Sequence, residues 1–436
     1  MKLRLLTSIA LIAVLSHYNL LFAADNIVLD HLSLSHAEEL FAHNNRELLA
    51  AQRAVEGSQA DTLSAAQNPN PTLSINASNF NLNRKAGNTN PEGGGGGITN
   101  QTISSVVAIS QLFERGDKRE IRMAVANNVL KASQYNLKDT IRQQNLFLKI
   151  AYYDLLLAQA SEQVQLTNAA LYDKTLEAAD LRFKAGDIAY ADVARIRVDA
   201  LRAKNDLRQA QANHQKAQAN LAYIIGKELE ADSIVATDTW PSIDSAETRA
   251  VIDPAQLNDR ADIKATEALV HAADDNRHLA EALKTRDVTI GVQYQHYPGQ
   301  GPGNGENTIG AVISIPLFTN YQYQGEIARA EVDYTTALEA REQARATAIR
   351  EITRTRADLN ASIEKVQRFD QQMLAEAKKA AESAEFAYQH GAMGVTDLLD
   401  ARRILRALEL DAASVRADYA KSLAAWQAAT NPEENP

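Results

Sequence analysis

The stretch RFKAGDIAYADVARIR, residues 182–197, is matched 205 residues later by AYQHGAMGVTDLLDAR, residues 387–402. Each stretch places an aromatic residue three positions before a glycine, an aspartate six positions after it and an arginine eleven positions after it. Glycine adopts left-handed backbone conformations at little cost and commonly ends helices. The repeat therefore predicts two similar helical corners, one at Gly186 and one at Gly391.

Long helices are predicted on both sides of these corners. Neither glycine nor proline interrupts the 69 residues between Gly116 and Gly186, and one helix of that length would span about 100 Å. After the corners, apolar residues recur in steps of three and four over 193–224 and 398–429. A sustained seam of this kind is typical of coiled-coil packing. His214 and Tyr419 occupy the same seam position, and we expect them to pack in the seam.

Two β-hairpins are predicted, over residues 71–113 and 286–318. Apolar residues alternate with polar ones in their strands, and Gly-rich tracts at 90–100 and 298–307 read as the tips. Isolated hairpins are at best marginally stable in water, so these strands need further partners. Because one face of the strands is apolar and the other is polar, the pattern favours a barrel with lipid outside and water inside. Four strands are too few to close a wide barrel, so several chains must contribute.

The composition restricts the class of protein. Residues 1–24 have a basic start, an apolar run and small residues at the end, which predicts a secretory signal peptide. The remainder carries 43 basic and 55 acidic residues, a net charge of about −12, which disfavours nucleic acid as a partner. The chain has no cysteine and contains none of the common catalytic or nucleotide-binding motifs. We therefore expect neither an enzyme nor a bound cofactor.

These patterns divide the chain into two structural repeats of the same order: helix, hairpin, long helix, corner, shorter helix. We predict a first repeat over 25–229, a polar linker over 230–256 and a second repeat over 257–431. We predict that residues 432–436 are a C-terminal tail.

The chain resembles the TolC-like outer-membrane factors of tripartite efflux and type I secretion systems. The doubled corner (AGDIAYADV and HGAMGVTDLLDARR) and the NPNPTLSI entry to the first strand carry the resemblance, which covers nearly the whole mature chain. It implies a mainly α fold with a membrane β-barrel: a homotrimer with a twelve-stranded outer-membrane barrel and a long α-helical periplasmic tunnel. It also implies contact with outer-membrane lipid, a periplasmic adaptor protein and an inner-membrane pump.

The chain is most similar to the cobalt–zinc–cadmium resistance branch of that family. This resemblance implies a passive exit duct for divalent heavy-metal cations, served by a proton-driven pump. Two alternatives remain: the same channel with drugs or a secreted polypeptide as cargo, or a soluble periplasmic coiled-coil scaffold.

The resemblance also implies roles for residues at the corners, with Gly186 and Gly391 at the periplasmic turns. Asp397 and Asp400 match positions that line the periplasmic aperture, where a trimer would present two rings of three carboxylates to attract cations. Alternatively, they are acids that stabilise a helix N-terminus. Tyr388 and Asp192 match a contact that holds the aperture closed. Met393 departs from the family, because some relatives carry arginine there.

One further cluster has metal-ligand spacing. His271, Asp274 or Asp275, and His278 fall on one face of a predicted helix. A solvated helix face is the more common reason for such a pattern, and we predict no metal site.

Overall fold

The computed structural model describes residues 28–78, 103–243, 254–297 and 306–430. The predicted signal peptide, most of both Gly-rich tips, residues 244–253 of the predicted linker and the C-terminal tail lie outside the described residues.

The chain is mainly helical. Its α-helices in the described ranges are α1 (Leu34–Asn44), α2 (Arg46–Ala65), α3 (Lys118–Lys184), α4 (Tyr190–Ile225), α5 (Pro254–Asp259), α6 (Ala261–Ala282), α7 (Gln324–Arg368), α8 (Leu374–Gln389) and α9 (Val395–Thr430). Short 3₁₀ helices lie at Leu29–His31 and Glu228–Ser233. Among the helices that the structure describes, none combines the length and the apolarity needed to span a membrane.

The two long helical tracts differ. Helix α3 runs without a break for 67 residues, in agreement with the tract free of glycine and proline. The corresponding tract of the second repeat contains a π-helical turn at Phe369–Met373 between α7 and α8. Such a turn adds one residue to a single helical turn, and the sequence pattern did not predict it.

The predicted seams are packed. Every member of the 3–4 series over 193–224 in α4 and over 398–429 in α9 is buried or half-buried. Tyr419 is 3% exposed and its hydroxyl donates to the Ser242 carbonyl at 3.0 Å. His214 is half-buried, and its Nδ1 lies 2.6 Å from Glu162 Oε2. Both residues pack in the seams, as expected from their positions.

The strands form one antiparallel sheet, β1 (Thr72–Ser78), β2 (Ser104–Phe113), β3 (Val288–Tyr297) and β4 (Glu306–Ser314), in the spatial order β1-β2-β3-β4. The second Gly-rich tract was expected to reach residue 307, but β4 already begins at Glu306. Glu306 and Asn307 pair with Tyr297 and His296, so the β3–β4 ladder extends further toward the tip than predicted.

The two faces of the sheet differ in polarity. Because residues that pair across antiparallel strands point to the same face, the register defines each face. One face is mainly apolar, although Gln111 also lies on it: Leu73, Ile75, Val107, Ile109, Phe113, Val288, Ile290, Val292, Tyr294, Ile309, Ala311 and Ile313. The opposite face is more polar, with Ser74, Asn76, Ser110, Thr289, Gln293 and Gln295, and it also carries Val106, Leu112 and Val312. The apolar face is largely exposed in the single chain; Ile75, for example, is 72% exposed.

The described residues fall into two compact units. The first contains 28–46, 143–243 and 353–430, and Tyr152 lies in its core. The Tyr152 hydroxyl donates to the Leu32 carbonyl at 2.9 Å and lies 3.0 Å from Asp238 Oδ2. Burial raises the pKa of Tyr152, so this hydroxyl keeps its proton at physiological pH.

The second unit contains 47–78, 103–142, 254–297 and 306–352, and it includes the sheet. A buried arginine, Arg260, joins two of its segments through ion pairs at 2.8 Å to Asp262, at the start of α6, and to Glu351 of α7. Glu351 also forms an ion pair with Arg142 of α3 at 3.3 Å. Charge pairing thus fixes α3, α6 and α7 to one another within this unit.

Candidate functional site: the two helical corners

The two corners have the same backbone hydrogen bonds, related by the 205-residue offset. Gly186 has φ +84° and Gly391 has φ +72°. The amide of the residue after each glycine, Asp187 or Ala392, donates to a carbonyl five positions earlier, at 2.9 Å and 2.8 Å. This bond closes a helix C-terminus of the Schellman type, which needs a left-handed residue. A Cβ on either glycine would meet no atom within 4 Å, so only the backbone conformation requires glycine.

Each corner is braced by an ion pair between its two helices. Arg197 reaches Asp180 at 3.1 Å in the first corner, and Arg402 reaches Glu385 at 2.8 Å in the second. These are the arginines eleven positions after each glycine, and the acids lie six positions before it. These two acidic residues were not identified from the sequence. Asp180 and Glu385 are separated by the same 205 residues as the two corners, and that spacing was a signal that could have identified them.

Asp397 and Asp400 lie in the first turns of α9 and are exposed. Asp400 accepts a hydrogen bond from Arg403 Nη1 at 3.0 Å, and its side chain is 57% exposed. Asp397 forms no side-chain hydrogen bond or ion pair within the described part of the chain. Both carboxylates are therefore open to solvent in the single chain, and one of them is partly neutralised by its neighbour.

Tyr388 and Asp192 are both half-buried, at the end of α8 and the start of α4. The Tyr388 ring lies under the Arg182 guanidinium, 5.5 Å from its carbon to the ring centroid. Within the residues that the structure describes, the Tyr388 hydroxyl and Asp192 share no hydrogen bond. The single chain does not bring this pair together, and a contact between them in an assembly stays a prediction.

A set of polar contacts joins α4 to α9 just beyond the corners. Arg403 Nη2 donates to Asp199 at 2.8 Å, and Asp199 is 6% exposed. One turn onward, Arg406 Nη1 donates to Asp206 at 2.6 Å. On the corner side, Arg195 donates to the Thr396 hydroxyl at 2.8 Å. The hydrogen bond to Asp199 raises the pKa of Arg403, because this contact favours the charged guanidinium.

An apolar core lies beneath these contacts and fixes the helices around the first corner. It consists of buried residues from α3, α4 and α9: Ala169, Tyr172, Ala179, Val193, Ile196, Ala200, Ala203 and Leu399. The four alanines let the helices approach closely, so the polar contacts at the surface have fixed partners. The sequence did not predict the α4–α9 contacts, since the charges that pair are about 200 positions apart.

The cluster with metal-ligand spacing lies on α6. Asp274 pairs with Arg277 at 2.7 Å, and Asp275 accepts from Asn128 Nδ2 at 2.8 Å. Among the described residues, no group of three or more histidine, aspartate or glutamate side chains is arranged to hold a metal ion. The two aspartates have protein partners instead.

The family model of the outer membrane efflux protein matches residues 39–227 and 254–431. The chain belongs to the outer membrane efflux protein family. The matched segments contain both corners and all four strands, so the predicted resemblance to TolC-like factors and the predicted fold class are confirmed. The predicted location in the outer membrane is confirmed as well, and the alternative of a soluble scaffold is wrong. The family is one of efflux proteins, in agreement with the prediction that the chain is not an enzyme.

Individual relatives share low identity over long segments. The chain is 26% identical to the outer membrane protein TolC of Vibrio cholerae over 307 residues, 67% of this chain and 69% of TolC. It is 23% identical to the cobalt-zinc-cadmium resistance protein CzcC of Cupriavidus metallidurans over 382 residues, 86% and 84% of the two chains. The crystal structure of the outer membrane protein VceC of Vibrio cholerae has the same fold, with a TM-score of 0.73, 21% identity and coverage of 91% and 95%.

Proposed function

We propose that this outer membrane efflux protein is the exit duct of a tripartite system and that its cargo is divalent heavy-metal cations. An inner-membrane proton-driven pump and a periplasmic adaptor would deliver the cations. The named activity of CzcC, cobalt–zinc–cadmium resistance, supports this cargo at 23% identity over 86% of the chain. Drugs or a polypeptide are the alternative cargo, and a relative named for pyoverdine export is also 23% identical.

The main support for a channel is the four-stranded sheet. Its order leaves β1 and β4 as edges, and no described strand pairs with either outer edge. Open edges with an exposed apolar face are unfavourable in water but close into a barrel when several copies join β4 to β1. Three copies of four strands give the twelve-stranded barrel that the family resemblance implies. The polar face of the sheet would then line the water-filled lumen.

Efflux assays in cells test the cargo. A strain that lacks this protein should accumulate cobalt, zinc or cadmium and should grow poorly in their presence. Complementation with the wild-type chain should restore both properties, while complementation with a chain lacking one corner should not. Unchanged metal tolerance together with a new sensitivity to organic toxins would instead favour drug efflux.

We also propose that Asp397 and Asp400 form the cation-selective part of a closed aperture. They are three positions apart on α9, so both carboxylates can lie on one helix face. Exposure of both side chains supports a role beyond packing. In a trimer, six carboxylates in a narrow ring would be poorly screened and would favour cations.

Single-channel recordings in planar bilayers test this aperture. The double variant Asp397→Asn with Asp400→Asn keeps side-chain size and removes charge, so it should lose most of its cation preference and its block by trivalent cations. Tyr388→Phe should raise the open frequency, because it removes the hydroxyl of the proposed contact with Asp192. If the Asn variant keeps wild-type selectivity but melts earlier, the carboxylates act on the helix terminus instead.

A further inference from the structure

A basic groove lies where the strands β2 and β3 leave the sheet. Its volume is about 340 Å³, at the small end of ligand pockets, which span roughly 300–1,000 Å³. The lining consists of Arg115, Lys284, Thr285, Arg286, Phe318 and Gln322. Three cations and no carboxylate thus surround one small groove, and all three cationic residues are exposed. Such a lining favours an anion.

The sheet register relates this groove to the apolar face. The β2–β3 ladder ends at the pair Phe113 and Val288, both on the apolar face. Continuing the alternation by two residues leads to Arg115 and Arg286, roughly 7 Å beyond that last pair. The two arginines therefore lie two residues beyond the last apolar pair, one on each of the chain segments that leave the sheet.

The carboxylates adjacent in sequence to these two arginines do not neutralise them, since each already binds another cation. Asp287, next to Arg286, accepts Lys118 Nζ at 2.7 Å. Glu114, next to Arg115, accepts both terminal nitrogens of Arg122, at 2.8 Å and 3.0 Å. Across the described chain, Arg115, Lys284 and Arg286 form no ion pair.

The backbone at the groove is held in place by close contacts. Gly116 has φ +75°, and a Cβ there would lie 2.8 Å from the Thr285 side chain. The Arg115 amide donates to Asp287 Oδ1 at 3.0 Å, and Lys118 Nζ donates to the Thr285 carbonyl at 2.8 Å. These bonds fix the two chain segments that carry the cations, so the groove is preorganised for its ligand.

Phe318 lines the groove, and two tyrosine rings lie next to it in turn. The Arg286 guanidinium lies 5.5 Å from the centroid of the Phe318 ring. Phe318 meets Tyr323 edge to face at 5.2 Å, and Tyr321 lies beside Tyr323 at 6.1 Å. Tyrosine and other aromatic side chains concentrate where a membrane meets water, and barrel proteins carry them in girdles at both interfaces.

We propose that this groove binds the phosphate of an anionic glycerophospholipid, with the lipid's acyl chains lying along the apolar face of the sheet. The inference rests on the proposed function, because it needs the sheet to lie in the outer membrane. An apolar strand face followed by cations without ion pairs, with aromatic rings beside the cations, matches the acyl chains, phosphate and interfacial position of a lipid. An anionic headgroup is favoured over a zwitterionic one, since the lining has three cations and no acid.

Lipid binding to the purified protein in detergent tests the proposal. Native mass spectrometry would follow retention of added phosphatidylglycerol by the wild type, by Arg115→Gln with Arg286→Gln, and by the control Arg345→Gln with Arg350→Gln. The control removes the same charge from exposed positions on α7. We expect a tenfold or greater loss of lipid affinity in the groove variant and none in the control. Equal loss in both variants, or loss in neither, would overturn the proposal.

Three further arms separate the alternatives. Arg115→Lys with Arg286→Lys keeps both charges and should retain phosphatidylglycerol, which guards against a variant that merely misfolds. Inorganic phosphate at millimolar concentration should not displace the lipid; displacement would identify a free-phosphate site instead. Cross-linking to a trimer checks the proposed function separately. A trimer without lipid retention refutes the groove alone, whereas an absent trimer refutes the channel.

Discussion

At the scale of single residues, glycines with the same backbone conformation have different reasons to be glycine. Gly391 and Gly226 have nearly equal φ angles, +72° and +70°. A Cβ at Gly391 would meet open space, whereas a Cβ at Gly226 would lie 2.7 Å from Asn44 Cβ and 3.2 Å from the Asn44 carbonyl oxygen. One position is constrained by conformation alone, and the other by conformation and packing together.

This difference predicts unequal costs for the same substitution. Gly391→Ala should destabilise by about 1–2 kcal/mol, the cost of a left-handed alanine. Gly226→Ala should cost about 2–5 kcal/mol, because forcing a methyl group into packed atoms adds strain. Thermal unfolding in detergent should show a clearly lower midpoint for Gly226→Ala. Equal midpoints would mean that the contact with Asn44 relaxes freely.

At the scale of elements, buried charges fix how helices pack. Arg260 is 3% exposed and pairs with Asp262 and Glu351, which joins the start of α6 to α7. Burial by itself would raise the pKa of Asp262, but hydrogen bonding and attraction to Arg260 outweigh it and leave the pKa below its ordinary value of 3.8. A carboxyl with a depressed folded-state pKa stabilises the fold at pH values above its unfolded pKa, and this stabilisation is lost as pH falls through the folded pKa.

Asp262→Asn should therefore destabilise the protein near neutral pH. The loss should stay below the roughly 3–5 kcal/mol of a fully orphaned buried charge, because Glu351 remains beside Arg260. The difference in melting temperature between wild type and variant should begin to shrink below pH about 4, where the carboxyl of the unfolded chain takes up protons, and should be lost at the lower pH where the folded-state carboxyl is protonated. The control Asp274→Asn, on the same helix and half-exposed, should change stability by less than about 1 kcal/mol. A pH-independent gap would contradict the assignment.

The α4–α9 contacts lead to a second prediction for helix packing. A double-mutant cycle of Asp199→Asn and Arg403→Gln should give a coupling of about 1 kcal/mol, since the Arg403 side chain is 47% exposed and solvent screens the pair. The cycle of Asp400→Asn with the same arginine variant should give almost none, because both partners are exposed. Equal couplings in the two cycles would show that burial of Asp199 adds nothing to the contact.

At the scale of the whole molecule, the two faces of the sheet must meet different solvents. Ile75 lies on the apolar face of β1, and the next residue, Asn76, lies on the opposite face. In a closed barrel, adjacent residues of one strand would therefore face lipid and water. The chain has no cysteine of its own, so a single introduced cysteine takes up a fluorescent label at one position.

We predict opposite quenching at these two positions in reconstituted vesicles. A label on Ile75→Cys should be quenched by brominated lipids and protected from iodide, and a label on Asn76→Cys should show the reverse. Chemical cross-linking of the same samples should give a ladder that ends at three copies. Iodide quenching of both labels would mean that the sheet does not lie in the bilayer.

The sequence by itself determined the features that depend on neighbours along the chain. Alternating side chains mark strands such as β3, and a 3–4 series marks the seam of α4, since each period follows from local backbone geometry. The left-handed corners at Gly186 and Gly391 are local as well. Duplication then let each repeat support the other, so the family could be identified from the doubled corner.

Only the tertiary structure decided which distant groups meet. It placed β2 beside β3, paired Arg403 with Asp199, and brought Asn44 against Gly226. It also placed a π-helical turn at 369–373. It showed that Lys118 pairs with Asp287 and Arg122 with Glu114, so Arg286 and Arg115 form no ion pair with these adjacent carboxylates. Each outcome depends on which of many chemically similar partners arrives at the right distance. The charge and size of side chains can be read from the sequence and show which residues could form a contact. Only the packing in three dimensions determines which of these contacts form.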